Sequence, residues 1–225
     1  MAVITIEYQI GCGGRDIGRL LAERLGFSYM DREIVQDVAR ELQITEDSAE
    51  EHDERVGGVL ERALSLLRVP GELTWVAPSG DNDLATIDEN IYHRTTCQVI
   101  EAAARRDQMV IVGHGASFAL AKWPAVMHIG LYAPLDRRVE TVMRRLQLDH
   151  AHAQRRVSDS DHERARYIKR FYQANWHDAD HYHLLIDTAI FAPERVVDLI
   201  VQAWRMSSVG SGRAANATAP ESSTR

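Results

Sequence analysis

A β-branched run, Val3 to Tyr8, stops just short of Gly11-Cys12-Gly13-Gly14. Beyond that turn Ile17, Leu20, Leu21 and Leu25 recur at helical spacing until Gly26. This order of strand, glycine-rich turn and helix constrains the chain more than any other feature. It gathers backbone N–H groups at a helix N-terminus, where partial positive charge favours an anion. Glycine at three of four positions also permits φ > 0 and close approach of a phosphate to the main chain. The alternative is a plain tight connection that holds nothing.

Two phosphate-loop patterns can be laid on these residues. G-x-G-x-x-G finds Gly11 and Gly13 but meets Asp16 at the third glycine, with Asp31 where a ribose-binding acid would stand. G-x-x-x-x-G-K-[ST] finds neither its lysine nor its hydroxyl residue, because Gly14, Arg15 and Asp16 occupy the junction. Neither pattern decides the matter.

Further along, residues 27–30 read as a short second strand, with Asp31 placed to cap a helix beginning at Arg32. Residues 32–106 carry helical periodicity and no strand signal, so they read as a helical insertion whose acidic stretch 46–54 is a solvated face. Strands return at Met109–Val112 and Val126–Tyr132, around a short helical segment at 118–122. Their near-continuous apolar character suits strands covered on both faces, hence a parallel sheet. An amphipathic helix at 136–148, a polar Arg-rich helical region at 151–176, a last strand at 182–187 and a helix at 193–204 follow. Residues 1–206 thus read as a single α/β domain, and the Ser/Ala/Gly-rich residues 207–225 as a disordered tail.

Composition narrows the partners. Thirty-three acidic against 26 basic residues give a net charge of −7, which argues against a general grip on nucleic acid and for a small-molecule partner. No apolar run approaches the ~20 residues of a membrane span, and the N-terminus lacks an export signature, so a cytoplasmic location is expected. Two cysteines, Cys12 and Cys97, make neither a disulfide framework nor a four-thiolate zinc site. Nothing in the pattern specifies an oligomeric state.

The opening, Ile4-Thr5-Ile6 with Gly11-Cys12-Gly13-Gly14-Arg15-Asp16-Ile17 and then residues 25–34, resembles that of the cytidylate kinase-like family, a divergent branch of the P-loop nucleoside monophosphate kinases. Three later pieces agree in order and spacing: Val112-Gly113-His114-Gly115-Ala116, Tyr132-Ala133-Pro134-Leu135, and Asp161-His162-Glu163-Arg164-Ala165-Arg166-Tyr167. The resemblance covers roughly residues 3–204. It implies a three-layer P-loop NTPase fold: a five-stranded parallel sheet, an acceptor-binding helical insertion after the second strand, and an Arg-rich lid at about 149–176. The basic segment 137–170, with ten basic against five acidic residues, falls where that lid is expected.

The same resemblance implies transfer of the γ-phosphate of ATP, with Mg²⁺, to a nucleoside monophosphate such as CMP or to a related small acceptor. Such chemistry asks the protein for positioning and positive charge. Main-chain N–H groups from Cys12 to Asp16, with Gly11, would cradle the donor phosphates, and Arg15 is the side chain placed to stand in for the missing lysine. Asp16 reads either as a Mg²⁺ ligand or as an ordinary acid favoured by the helix dipole. Asp31 and Arg32 read as acceptor-binding groups or as a cap and surface ion pair. His114 stands where the family pattern has arginine and is fully charged only below about pH 6.5, which makes acceptor binding pH-dependent. Arg156, Arg164, Arg166 and Lys169 are the lid's candidate cations, Asp161 being spaced to pair with Arg164, and Arg144 and Arg145 are candidates for a contact at the lid base.

Other features have plainer readings. His177 and His181 are spaced to share a helix face, but no cysteine completes a zinc set. Cys12 reads as small-residue packing or as a thiol acidified by the helix start. Trp75, Trp123, Trp176 and Trp204 form no stacking pattern. Besides the kinase, two readings remain: a nucleotide-binding regulatory protein that has lost turnover, for which the absent lysine is the motive, and a nicotinamide-dependent oxidoreductase.

Overall fold

The computed structural model describes residues 2–31 and 89–207. The bulk of the expected insertion with its acidic stretch, Arg32, Trp75 and the tail from 208 onward lie outside the described residues. Within them the chain runs β1 (Val3–Tyr8), α1 (Gly14–Leu25), β2 (Ser28–Met30), α2 (Glu89–Arg105) and β3 (Met109–Val112). It continues through α3 (Ala116–Ala119), β4 (Val126–Tyr132), α4 (Leu135–Leu146), α5 (His150–Tyr172), β5 (Leu184–Asp187) and α6 (Pro193–Met206).

All five strands are parallel, in the order β2-β3-β1-β4-β5. β1 is therefore central, and its glycine turn emerges at the C-terminal edge of the sheet, where ligands of open α/β folds bind. The same order removes the dinucleotide reading: β3 lies between β1 and β2, whereas the classic dinucleotide fold places its second strand directly beside its first.

Each β1 residue alternates between two buried layers. Ile4 and Ile6 pack with Ile17 and Leu21 of α1 and Val197 and Ile200 of α6. Val3 faces the opposite layer, with Val99 and Ile100 of α2 and Leu120 beyond α3. Helices thus cover both faces of the sheet, which accounts for the continuous apolar runs in β3 and β4.

Two boundaries differ from expectation for local reasons. Gly115 caps α3 in the left-handed conformation (φ 68°), so that helix begins at Ala116, earlier than its periodicity suggests. Gln173 takes φ 57° and ends α5 at Tyr172, leaving Trp176 in a loop with its ring turned inward, 4% exposed. His177 lies in that loop and His181 in a single 3-10 turn, so the two do not share a helix face.

Candidate functional site

The glycine turn is shaped by what presses on it. Gly11 (φ 91°) and Gly13 (φ 77°) adopt left-handed backbone. A Cβ on Gly11 would stand 2.6 Å from the Arg138 carbonyl oxygen, so only glycine lets the turn lie directly on α4. A Cβ on Gly14 would meet the ring of Tyr8 at 2.2 Å. Position 14 is therefore closed to any side chain by the aromatic residue that ends β1. Above Gly13 the space is open, since a Cβ there would touch only Ile17 Cδ1 at 3.9 Å, and α1 starts with no side-chain cap. An uncapped helix start behind left-handed glycines fits a phosphate.

Cys12 is buried within the turn, its thiol donating to the Gln9 carbonyl at 2.8 Å. Burial pushes it up to about 12, which corrects the reading of an acidified, oxidation-prone thiol: lost hydration outweighs the helix start. Asp16, in the first turn of α1, is about half exposed and forms an ion pair with Arg145 of α4 at 2.8 Å. Among the described residues no three His, Cys, Asp or Glu side chains gather as a protein-only metal site. Asp31 is buried, and the Tyr29 hydroxyl donates to its carboxylate at 3.1 Å while lying 3.4 Å from the Arg15 carbonyl. That tyrosine joins the end of β2 to the start of α1.

On the other side of β1 the turn after β3 carries three successive left-handed residues, Gly113, His114 and Gly115. For a histidine this backbone is uncommon and is held by its surroundings. His114 lines a cavity of about 290 Å³ together with Arg164, Arg166, Tyr167, Arg170 and Phe171 of α5. Arg156 and Lys169 are exposed and do not line this cavity.

Helix α5, where the resemblance places a lid, is anchored by contacts that sequence spacing does not reveal. Asp161 pairs not with Arg164, as expected from their three-residue spacing, but with Arg138 of α4, whose Nη1 donates to both carboxylate oxygens at 2.8 and 3.1 Å. Arg138 is buried and has the Ala133 carbonyl as its other acceptor. It is the more deeply buried of the two arginines, and an unpaired buried guanidinium is costly. Further along α5, Tyr167 and Phe171 grip His93 of α2, the Tyr167 hydroxyl lying 2.8 Å from the ring and Phe171 stacking at 4.1 Å between centroids.

Arg164 is held differently. Its guanidinium carbon stands 5.0 Å from the centroid of Tyr8 and 5.0 Å from that of Trp176, a clamp between the end of β1 and the loop after α5. Nearby, Glu7 of β1 is fully buried, with neither carboxylate oxygen in a well-formed hydrogen bond; Arg164 Nη1 is likewise enclosed and unbonded. Burial pushes Glu7 up to about 7, while the Arg164 charge and the N–H groups at the start of α3 oppose the rise. Glu7, Tyr8 and Trp176 escaped the sequence reading. The available signal was a carboxylate interrupting the apolar run of β1.

The sequence pattern of the cytidylate kinase-like family matches residues 3–190. The chain belongs to the cytidylate kinase-like family. As one of its members, it shares its fold with an uncharacterized protein from Eubacterium ventriosum at 17% identity and TM-score 0.65, over 92% of this chain and all of that one. A shikimate kinase from Bacteroides thetaiotaomicron shares it at 10% identity and TM-score 0.50, over 91% of this chain and 99% of that one. The three-layer P-loop kinase architecture is thereby established. A curated uronate isomerase from Corynebacterium glutamicum is 30% identical over 111 residues, which is 49% of this chain but only 21% of that protein. Membership in this kinase-like family supports a kinase-like function directed at a nucleotide or another small molecule. No helix among the described residues is long and apolar enough to cross a membrane.

Proposed function

We propose that this cytidylate kinase-like protein transfers the γ-phosphate of ATP to a small acceptor, a nucleoside monophosphate with CMP the first to test. The observation carrying the reading is one of placement. The glycine turn, Tyr8 stacked under a lid arginine, and the cavity lined by that same Arg164 and by His114 are contiguous, so a donor phosphate and an acceptor would meet at Arg164.

In this reading the main chain of Gly11 to Asp16 cradles the donor phosphates, with Arg15 adding a guanidinium at the start of α1. Asp16 is suited to be one oxygen ligand of Mg²⁺, the rest coming from phosphates and water, and takes that role on leaving Arg145. Mg²⁺, when bound, neutralises charge on the donor phosphates. Asp31 orients acceptor hydroxyls, with Arg32 beside it in sequence. His114 donates to the acceptor's phosphate. Arg166, at the cavity, and the exposed Arg156 and Lys169 add positive charge to the lid. The partners are small nucleotides rather than nucleic acid or membrane.

Purified protein with Mg-ATP and a panel of nucleoside monophosphates should release ADP only when the right acceptor is present. One observation favours the second reading, a nucleotide-binding regulatory protein: Tyr8 leaves no room for a side chain at position 14, in the junction where an ordinary P-loop carries its lysine. ATP binding without acceptor-dependent ADP release would establish that reading instead.

A further inference from the structure

With Gly13 taken as the last glycine of the ordinary pattern, its lysine, which reaches the β- and γ-phosphates, would fall at position 14. Here the space into which a side chain at 14 would leave is filled by Tyr8, with three of its carbons between 2.2 and 2.7 Å from a Cβ at that position. The same ring lies 5.0 Å from the guanidinium carbon of Arg164. Its charge is felt at Cys12 inside the turn as well as at Glu7. The lid helix one turn earlier is tied through Asp161 to Arg138, whose own main chain touches Gly11. Lid and turn are therefore joined at two points, and Arg164 lies at one of them.

We propose that Arg164 takes the place of the absent lysine, and that Tyr8 and Trp176 are positioning residues that hold its guanidinium beside the glycine turn. The proposal rests on the reading of that turn as a phosphate site. Contact with two aromatic rings restricts where the Arg164 guanidinium can turn, without a hydrogen-bonded partner to hold the side chain. An ammonium has no faces to clamp, so lysine cannot do this work from position 164. The buried Glu7 carboxyl lies near the guanidinium without a hydrogen bond to it.

The test is a double-mutant cycle read by calorimetry of Mg-ATP binding to the full chain, without acceptor. Tyr8→Leu and Trp176→Leu should each weaken binding roughly tenfold, Tyr8→Phe and Trp176→Phe should stay within about twofold, and Arg164→Lys should lose nearly as much as Arg164→Ala. In the Arg164→Ala background, Tyr8→Leu should have no further effect on affinity, because its partner is gone. A merely structural tyrosine would weaken binding equally in both backgrounds, and that result overturns the proposal while leaving the phosphate site standing. If the unaltered protein gives no heat with millimolar Mg-ATP, the phosphate reading and this proposal fall together. Thermal melting of each variant separates lost binding from lost folding, and the phenylalanine variants keep the outcome readable if a leucine variant fails to fold.

Discussion

The two faces of β1 are equally buried and chemically unlike. Ile4 and Ile6 on one face are 0% exposed in a wholly apolar layer, while Thr5 and Glu7 on the other are 0% and 1% exposed and polar. Thr5 is satisfied, its hydroxyl lying 2.8 Å from that of Ser117 and 2.7 Å from Nδ1 of His128 on β4. Glu7, two residues nearer the glycine turn, is not. A strand that can bury two isoleucines has no folding need for a buried carboxylate, whose desolvation is costly. The apolar face stabilises the domain, and the polar face becomes less satisfied as it nears the site.

The largest effect should come from breaking the apolar face. Ile6→Ala leaves a cavity between β1 and α1 and should cost about 4 kcal/mol, read as a lower denaturant midpoint with little change in slope. Next comes the anchor of α5. Asp161→Ala strands the buried Arg138 and should cost about 3 kcal/mol, with Asp161→Glu recovering part of it. If Asp161→Ala proved as mild as a surface substitution, α5 would not be fixed to α4 by this pair.

The polar face should reveal itself through pH. Glu7 sits at about 7 against an ordinary 4.5, so the stability it contributes is fully present below pH 4.5 and lost as pH rises through about 7. Burial, with His183 alongside, lowers His128 from 6.5 to about 4, so its contribution is present above pH 6.5 and lost as pH falls toward 4. Between 4.5 and 6.5 the two slopes oppose each other. Relative to the unaltered protein, Glu7→Gln should gain about 2 kcal/mol between pH 5 and pH 7. His128→Asn should expose the opposite trend, a stability that falls over that interval. Parallel pH curves for all three proteins would mean that neither group is titrating inside the fold.

How much of this was legible follows from the range of each interaction. The bounds of β1, β3 and β4, the parallel sheet and the helix after the glycine turn were readable because β-branched runs and helical periodicity are local. The pairing of Asp161 was misread for the same reason: spacing within one helix offered Arg164, whereas the winning partner was a buried arginine on another element. Trp176 escaped because Gln173 ends α5 early and turns the chain inward. The candidate residues of the glycine turn and the Val112–Ala116 turn were sequence neighbours of a recognisable motif. Glu7, Tyr8 and Trp176 gain their meaning only when the strand end, α5 and the loop after it meet.

The smallest effect should lie on the outer surface of the apolar layer. Arg24 of α1 and Asp198 of α6 form a 2.7 Å ion pair across the two helices that cover Ile4 and Ile6, yet their side chains are 53% and 36% exposed. Solvent and salt screen such a pair, and holding two long side chains in one geometry offsets most of the attraction. Asp198→Ala should therefore cost under about 1 kcal/mol and less still in high salt, even though its distance matches that between Arg138 and Asp161 almost to the tenth of an ångström. The two pairs differ in burial rather than in length, with the Arg138 side chain 6% exposed. If the two alanine variants were equally destabilised, burial would not be what separates the α5 anchor from a surface contact.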